Sequence, residues 1–186
     1  MSEFALFGFE GATTRGIAEA ADAPHSLVLY HFNNKEDLWY ETVREVVRWY
    51  ASQSLGTAMP GEPDPVRQLK GVFSHYIRFS AEYPDFFRML THENKLDSER
   101  LTWHVKTHLA PIVSHTTGLI RKAQALGAFV EGDATTLLYL FLGSATSPYR
   151  SAREIELVTG KTPNTPKAIK NHVALCEALF FRTPTT

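Results

Sequence analysis

The stretch whose reading decides the fold is TTRGIAEAADAPHSLVLYHFNNKEDL, residues 13–38. It holds two short helical patterns separated by Asp22-Ala23-Pro24. Thr13 or Thr14 stands where a hydroxyl can accept an orphan N–H at the start of a helix running to about Ala21. Pro24 suits the first turn of the next helix, where its missing N–H costs nothing. Asn34 followed by Asp37 is a capping pair that opens a long third helix reaching about Ser54. Ile17, Ala18 and Ala21 supply one inward face, Val28 and Phe32 a second, and Leu38 closes over both. Two short helices joined by a tight turn and locked by a third make a helix-turn-helix pattern.

Residues outside those inward faces are free to meet a partner: Thr14, Arg15, His25, Ser26, Leu29, Tyr30, His31 and Lys35. These types suit double-stranded DNA. Hydroxyls, Lys35 and helix N-termini can hold phosphates, and Arg15 or a histidine can donate to guanine acceptors in the major groove. For Tyr30 the alternative is core packing, and for Lys35 a solvated first-turn charge.

Composition limits the function classes. The 186 residues suffice for a substantial core. A formal net charge of −1 gives no global basic signature. Through residue 48, four basic residues face eight acidic ones, so phosphate-driven binding is expected to be weak and salt-sensitive. Cys176 is the single cysteine, which excludes an intrachain disulfide and a cysteine-rich zinc site, and no cofactor is expected. The most apolar run, LLYLFLG at 137–143, falls far short of the ~20 residues that span a bilayer. The expectation is a cytoplasmic protein with no membrane partner.

Beyond residue 38 every periodic segment reads as helix, so the fold class is all-α. GTAMPGEPDP (56–65) is a Gly/Pro-rich break, after which Asp64-Pro65 restarts a helix. Tyr83-Pro84-Asp85 opens a short helix, and Ser98 opens a long one that bends near Pro111 and stops at Gly127. Gly132-Asp133, Ser151 and Thr165-Pro166 open the last three. Residues 1–45 then form a helix-turn-helix unit, and 46–186 a larger bundle.

GFEGATTRGIAEAADAPHSLVLYHFNNKEDLW (8–39) closely resembles the DNA-binding domain of TetR family transcriptional regulators. The shared features are the glycine and aromatic before the paired threonines, IAEAA, the turn, the aromatic-His-Phe triplet and the N-K-E-D-L run. The resemblance implies a homodimer that represses transcription until a small-molecule effector binds the C-terminal domain. It places the DNA contacts on Thr14, Arg15, His25, Ser26, Tyr30 and His31, and a phosphate-binding lysine on Lys35. Asp22 replaces the usual turn glycine, and Leu29 stands where the family often carries a tyrosine. Of the family's first amphipathic helix only the last part, EFALFGF (3–9), is recognisable, so a truncated supporting helix is expected. YPDFFRML (83–90), GAFVEGDATTLLYLFLG (127–143) and SPYRSAREIELVTGKTP (147–163) look like the C-terminal region of RutR-like regulators of pyrimidine utilisation.

The bundle segment is rich in aromatics, and a cavity between its helices would suit an apolar or planar ligand. Phe73, Tyr76, Phe87, Trp103, His104, His108 and Phe141 are the candidate ligand-binding residues, with ordinary core as the alternative. His104, His108 and His115 lie within about 40° on one helical face. No carboxylate completes a metal site beside them, so the stripe reads as pocket lining, a bundle seam or a plain boundary. TTLLYLFLGSA (135–145) is apolar almost all round. Ile169, Val173, Cys176 and Phe180 make a stripe on the last helix, so these two helices are the expected homodimer seam. A small-molecule-binding or scaffold protein with weak or lost DNA binding is the alternative function. Scattered histidines give an enzyme little support.

Overall fold

The computed structural model describes residues 1–57, 62–94 and 98–182. Residues 58–61 of the expected break at 56–65 lie outside them. The helices are α1 (Ser2–Gly11), α2 (Thr14–Ala20), α3 (His25–His31), α4 (Lys35–Thr57), α5 (Pro65–Glu82) and α6 (Pro84–Glu93). They continue with α7 (Glu99–His104), a π-type turn (Val105–Leu109), α8 (Ala110–Ala125), α9 (Ala134–Arg150), α10 (Ala152–Thr159) and α11 (Pro166–Phe180). Among the described residues the only extended pairing is a bridge of Phe129 with Phe181.

The helix starts follow capping chemistry. The Gly16, Leu101, Thr136 and Ala168 amides donate to the side chains of Thr13, Ser98, Asp133 and Thr165. Asp37 N–H donates to Asn34 Oδ1 at 2.8 Å, as the capping pair predicts. Pro24 sits one place earlier than expected, at the N-cap of α3 rather than in its first turn. Asp22, at the position of the usual turn glycine, takes φ +49°, a left-handed conformation that aspartate tolerates better than most residues. The expected bend near Pro111 takes the form of the π-type turn just before it. Proline has no N–H to give and its ring crowds the carbonyl one turn back, so the ladder widens there.

The chain forms two compact units, and compaction does not follow chain order. One unit comprises residues 1–50 and 83–108, the other 51–82 and 109–186. In the first unit α1 packs chiefly against α6, and α2 against α3. Its core holds Phe4, Ala12, Ala18, Leu38, Trp39, Val43, Phe86 and Met89. Ile17, Val28 and Phe32 are half-buried, whereas Ala21 is exposed, because α2 ends at Ala20 and the turn carries Ala21 away from the inward face. The α1 helix is interrupted by Gly8 (φ +66°, ψ −178°), a conformation closed to side-chain-bearing residues.

The second unit is built on α5, α8, α9 and α11 around Leu69, Phe73, Ile77, Ile120, Phe129, Phe141 and Tyr149. The expected seam stripe on α11 turns inward. Cys176 and Phe180 are buried in this core, with Ile169 and Val173 packed against it. α11 is apolar on a second face as well, and Leu175 and Leu179 are what it leaves exposed, alongside Tyr139 and Leu140 of α9.

Candidate nucleic-acid interface

The α2–turn–α3 segment presents a coherent outer surface. Arg15, Ser26, Tyr30 and His31 are exposed, Tyr30 at 83%. Arg15 makes no hydrogen bond or ion pair with the described residues. Tyr30 and His31 pack edge to face at 5.2 Å between ring centroids, so the two rings stiffen one another. Thr14 Oγ1 and His25 Nε2 are 3.0 Å apart, joining the first turns of α2 and α3. Six of the seven candidate DNA-binding residues therefore lie on one helix pair, four with free side chains and two tying the pair together. Leu29, half-exposed, puts an apolar side chain on the same surface.

Lys35, the candidate phosphate-binding lysine, is half-buried and directs its ammonium at the end of α1. Its ammonium donates to the carbonyls of Glu10 at 3.3 Å and Ala12 at 3.0 Å, and lies 4.5 Å from the Phe9 ring centroid. These carbonyls end α1, so Lys35 caps that helix with charge and hydrogen bonds together. Two of its three N–H donors are occupied in this way, and one remains.

The candidate ligand-binding residues separate into two groups. Phe73 and Phe141 stack at 3.5 Å in the second unit, both 1% exposed, so no ligand fits between them. Tyr76 borders Phe141 at 5.9 Å. In the first unit, Trp103 stands 4.9 Å from His108, which is 5.9 Å from His104. Tyr40 lies 4.7 Å from Trp103, and Trp39 6.4 Å from it. Phe86, rather than the half-buried Phe87, faces His104. The Arg44 guanidinium lies 5.2 Å from the Trp103 centroid.

Within this ring cluster Trp39 Nε1, His104 Nδ1 and His108 Nε2 are buried without a hydrogen-bond partner among the described residues. Burial, with the neighbouring His108, holds the His104 pKa down to about 4. Burial and then Arg44 lower that of His108. Both imidazoles are thus neutral at pH 7. His115 does not extend the stripe: it is exposed and belongs to the second unit, and the π-type turn shifts the helical register before reaching it. No cluster of three or more metal-ligating side chains exists among the described residues.

Trp39, Tyr40, Arg44 and Phe86 are the members of this cluster that sequence reasoning missed. The available signal was the Trp39-Val43-Val46 stripe, which is buried on α4 as its i, i+4, i+7 spacing dictates.

Comparison with known proteins places this geometry. Residues 1–41 match the model of bacterial regulatory proteins of the tetR family, and 65–178 that of the tetracyclin repressor-like C-terminal domain. The chain belongs to the TetR family of transcription regulators. It is similar to the HTH-type transcriptional regulator RutR of Escherichia coli strain K12 and of Shigella flexneri, at 24% identity over 163 residues. That match spans 87% of this chain and 76% of each relative. Among solved structures it resembles AibR in complex with isovaleryl coenzyme A and operator DNA (TM-score 0.75, 18% identity, 96% of this chain and 91% of that one). It also resembles a Clostridium perfringens protein titled a putative fatty acid metabolism regulator (TM-score 0.70, 20% identity, 94% and 92%). At these identities the structural likeness establishes the fold. No helix of the described residues is long and apolar enough to cross a membrane.

Proposed function

We propose that this regulator is a homodimeric repressor that binds operator DNA through α2 and α3 and leaves it when a small-molecule effector binds. The observation that carries this reading is the exposed set Arg15, Ser26, Tyr30 and His31 on a helix-turn-helix whose opposite face is packed. Arg15 is the base- or phosphate-contacting cation, Tyr30 and His31 the contacts from α3, and the Thr14–His25 pair fixes the angle between the two helices.

Effector binding draws support from the ring cluster of Trp103, His104 and His108. Three buried polar atoms without partners are unusual in a native interior and suit a site completed by another molecule. The AibR neighbour, solved with both an acyl coenzyme A and operator DNA, agrees with such a design. Dimerisation draws support from Tyr139, Leu140, Leu175 and Leu179, each more than half exposed, with a groove along Thr135, Thr136, Tyr139 and Leu140. These exposed positions replace the α11 stripe read from the sequence as the seam on the last two long helices.

Selection of bound duplexes from a random pool at low salt tests the reading. The expected outcome is a palindromic consensus, bound about ten- to a hundredfold more weakly by Arg15→Ala. A pool that yields no consensus would overturn it.

A further inference from the structure

Arg100, on α7, is 12% exposed and its guanidinium carbon lies 3.5 Å from the centroid of Phe9, near the end of α1. The same guanidinium pairs with Glu93 of α6 at 3.3 Å, and with Glu36 of α4 and Glu10 of α1 at 3.9 Å each. Glu93 is 1% exposed and also accepts from Ser98 Oγ at 2.6 Å. Lys35 shares the Phe9 ring and caps α1 through Glu10 and Ala12.

We propose that Arg100 is a positioning residue for operator binding: through Phe9 and its three glutamates it fixes α1 and the start of α4, and hence the attitude of α2 and α3. The segment from the Phe9 ring to the first residue of α2 is only Glu10 to Thr13, too short to absorb a shift of α1. One cation bridging four helices also explains a buried carboxylate at Glu93, whose other contact is the Ser98 hydroxyl. Lys35, drawn inward by the same aromatic ring, contributes alignment instead of a phosphate contact. This inference rests on the proposed DNA-binding role of α2 and α3.

The test uses the full chain and the duplex selected by the wild type. Arg100→Ala is expected to weaken binding about tenfold at fixed salt, with Arg100→Lys recovering part of it. The slope of log affinity against log salt is expected to stay at the wild-type value, because Arg100 touches no phosphate. Phe9→Leu removes the shared ring while keeping the Arg100–Glu93 pair, and is expected to weaken binding in the same way. It serves as the deciding variant if Arg100→Ala does not fold. Wild-type affinity in Phe9→Leu, or a slope smaller by about one in Arg100→Ala, would overturn the proposal. Hydrogen exchange on the DNA-free chain keeps the two readings apart. Faster exchange in α1 and α2, with α5 and α9 unchanged, is expected in both variants even if no operator is found; unchanged α1 and α2 would count against positioning whatever the DNA result.

Discussion

Replacing Gly8 by alanine should loosen the first unit while leaving the second intact. Gly8 holds φ +66° and ψ −178°, a region essentially reserved for glycine, and forcing alanine there costs on the order of 1–3 kcal/mol. The new Cβ would also stand 3.3 Å from His92 Nδ1, and moving that ring puts at risk the 3.2 Å hydrogen bond between His92 Nε2 and the Ala5 carbonyl. Such a bond contributes about 1 kcal/mol net. Against these stands the lower unfolded-state entropy of alanine, worth about 0.4–1 kcal/mol. The balance is a destabilisation of about 2 kcal/mol, or roughly thirtyfold in the unfolding constant. Trp39, Trp49 and Trp103 all lie in the first unit, so urea unfolding followed by tryptophan fluorescence reads that unit directly. Gly16→Ala is the control, at a position with no positive φ: the new Cβ would meet the far end of the Glu3 side chain and stand 3.1 Å from Thr13 Oγ1, so both need shift only slightly. Since alanine in a helix is favoured over glycine by up to about 1 kcal/mol, that variant should be neutral or slightly stabilised. If Gly8→Ala unfolds within 0.5 kcal/mol of wild type (about the scatter expected of an innocuous surface change), the reasoning from backbone strain is refuted.

Stability of the first unit should fall on acidification from pH 6.5 to 4, by about 3 kcal/mol from His104 alone. The sign follows from burial: the folded state holds the ring neutral, the unfolded chain takes up a proton below 6.5, and the penalty stops growing once the folded ring also protonates near 4. Urea midpoints across that window should flatten in His104→Gln, and an unchanged acid slope would refute the assignment. Phe73→Ala should cost about 3–5 kcal/mol in the second unit, because Phe73 stacks on Phe141 and meets Phe129, Phe180 and Phe181. Hydrogen exchange in α5 and α9 measures it, and a loss below 1 kcal/mol would mean a softer core than the stacking suggests. Leu140→Asp with Leu179→Asp should weaken self-association about a hundredfold or more, since both carboxylates would be buried unpaired in the proposed seam. Sedimentation of the two proteins side by side tests this, with equal masses as the contrary result.

What could be read in advance divides along a physical line. Capping is local: Thr13, Asn34, Ser98, Asp133 and Thr165 each bond an amide three residues away, so the starts of these helices, and with them the all-α architecture, were legible from short windows. The outward face of α2 and α3 was legible for a related reason, since exposure there follows from which neighbours on the same short helix are apolar. Long-range partnership was not. Nothing near Lys35 announces that its ammonium will end a helix 23 residues earlier, and nothing near Arg100 announces Phe9. Both cations were drawn to one aromatic ring and one set of backbone and carboxylate oxygens that only the packing of α1 against α6 brings together. The histidine stripe failed for another reason, because a regular helical wheel cannot carry across the π-type turn that Pro111 imposes. The exposed residues that the proposed function assigns to DNA could thus be found from pattern, whereas the partners of Lys35 and Arg100 could be found only from the fold. Under the proposed function, a helix-turn-helix with more acidic than basic residues around it depends on such long-range partners: with few phosphate contacts to correct its pose, it must arrive at the duplex already aligned.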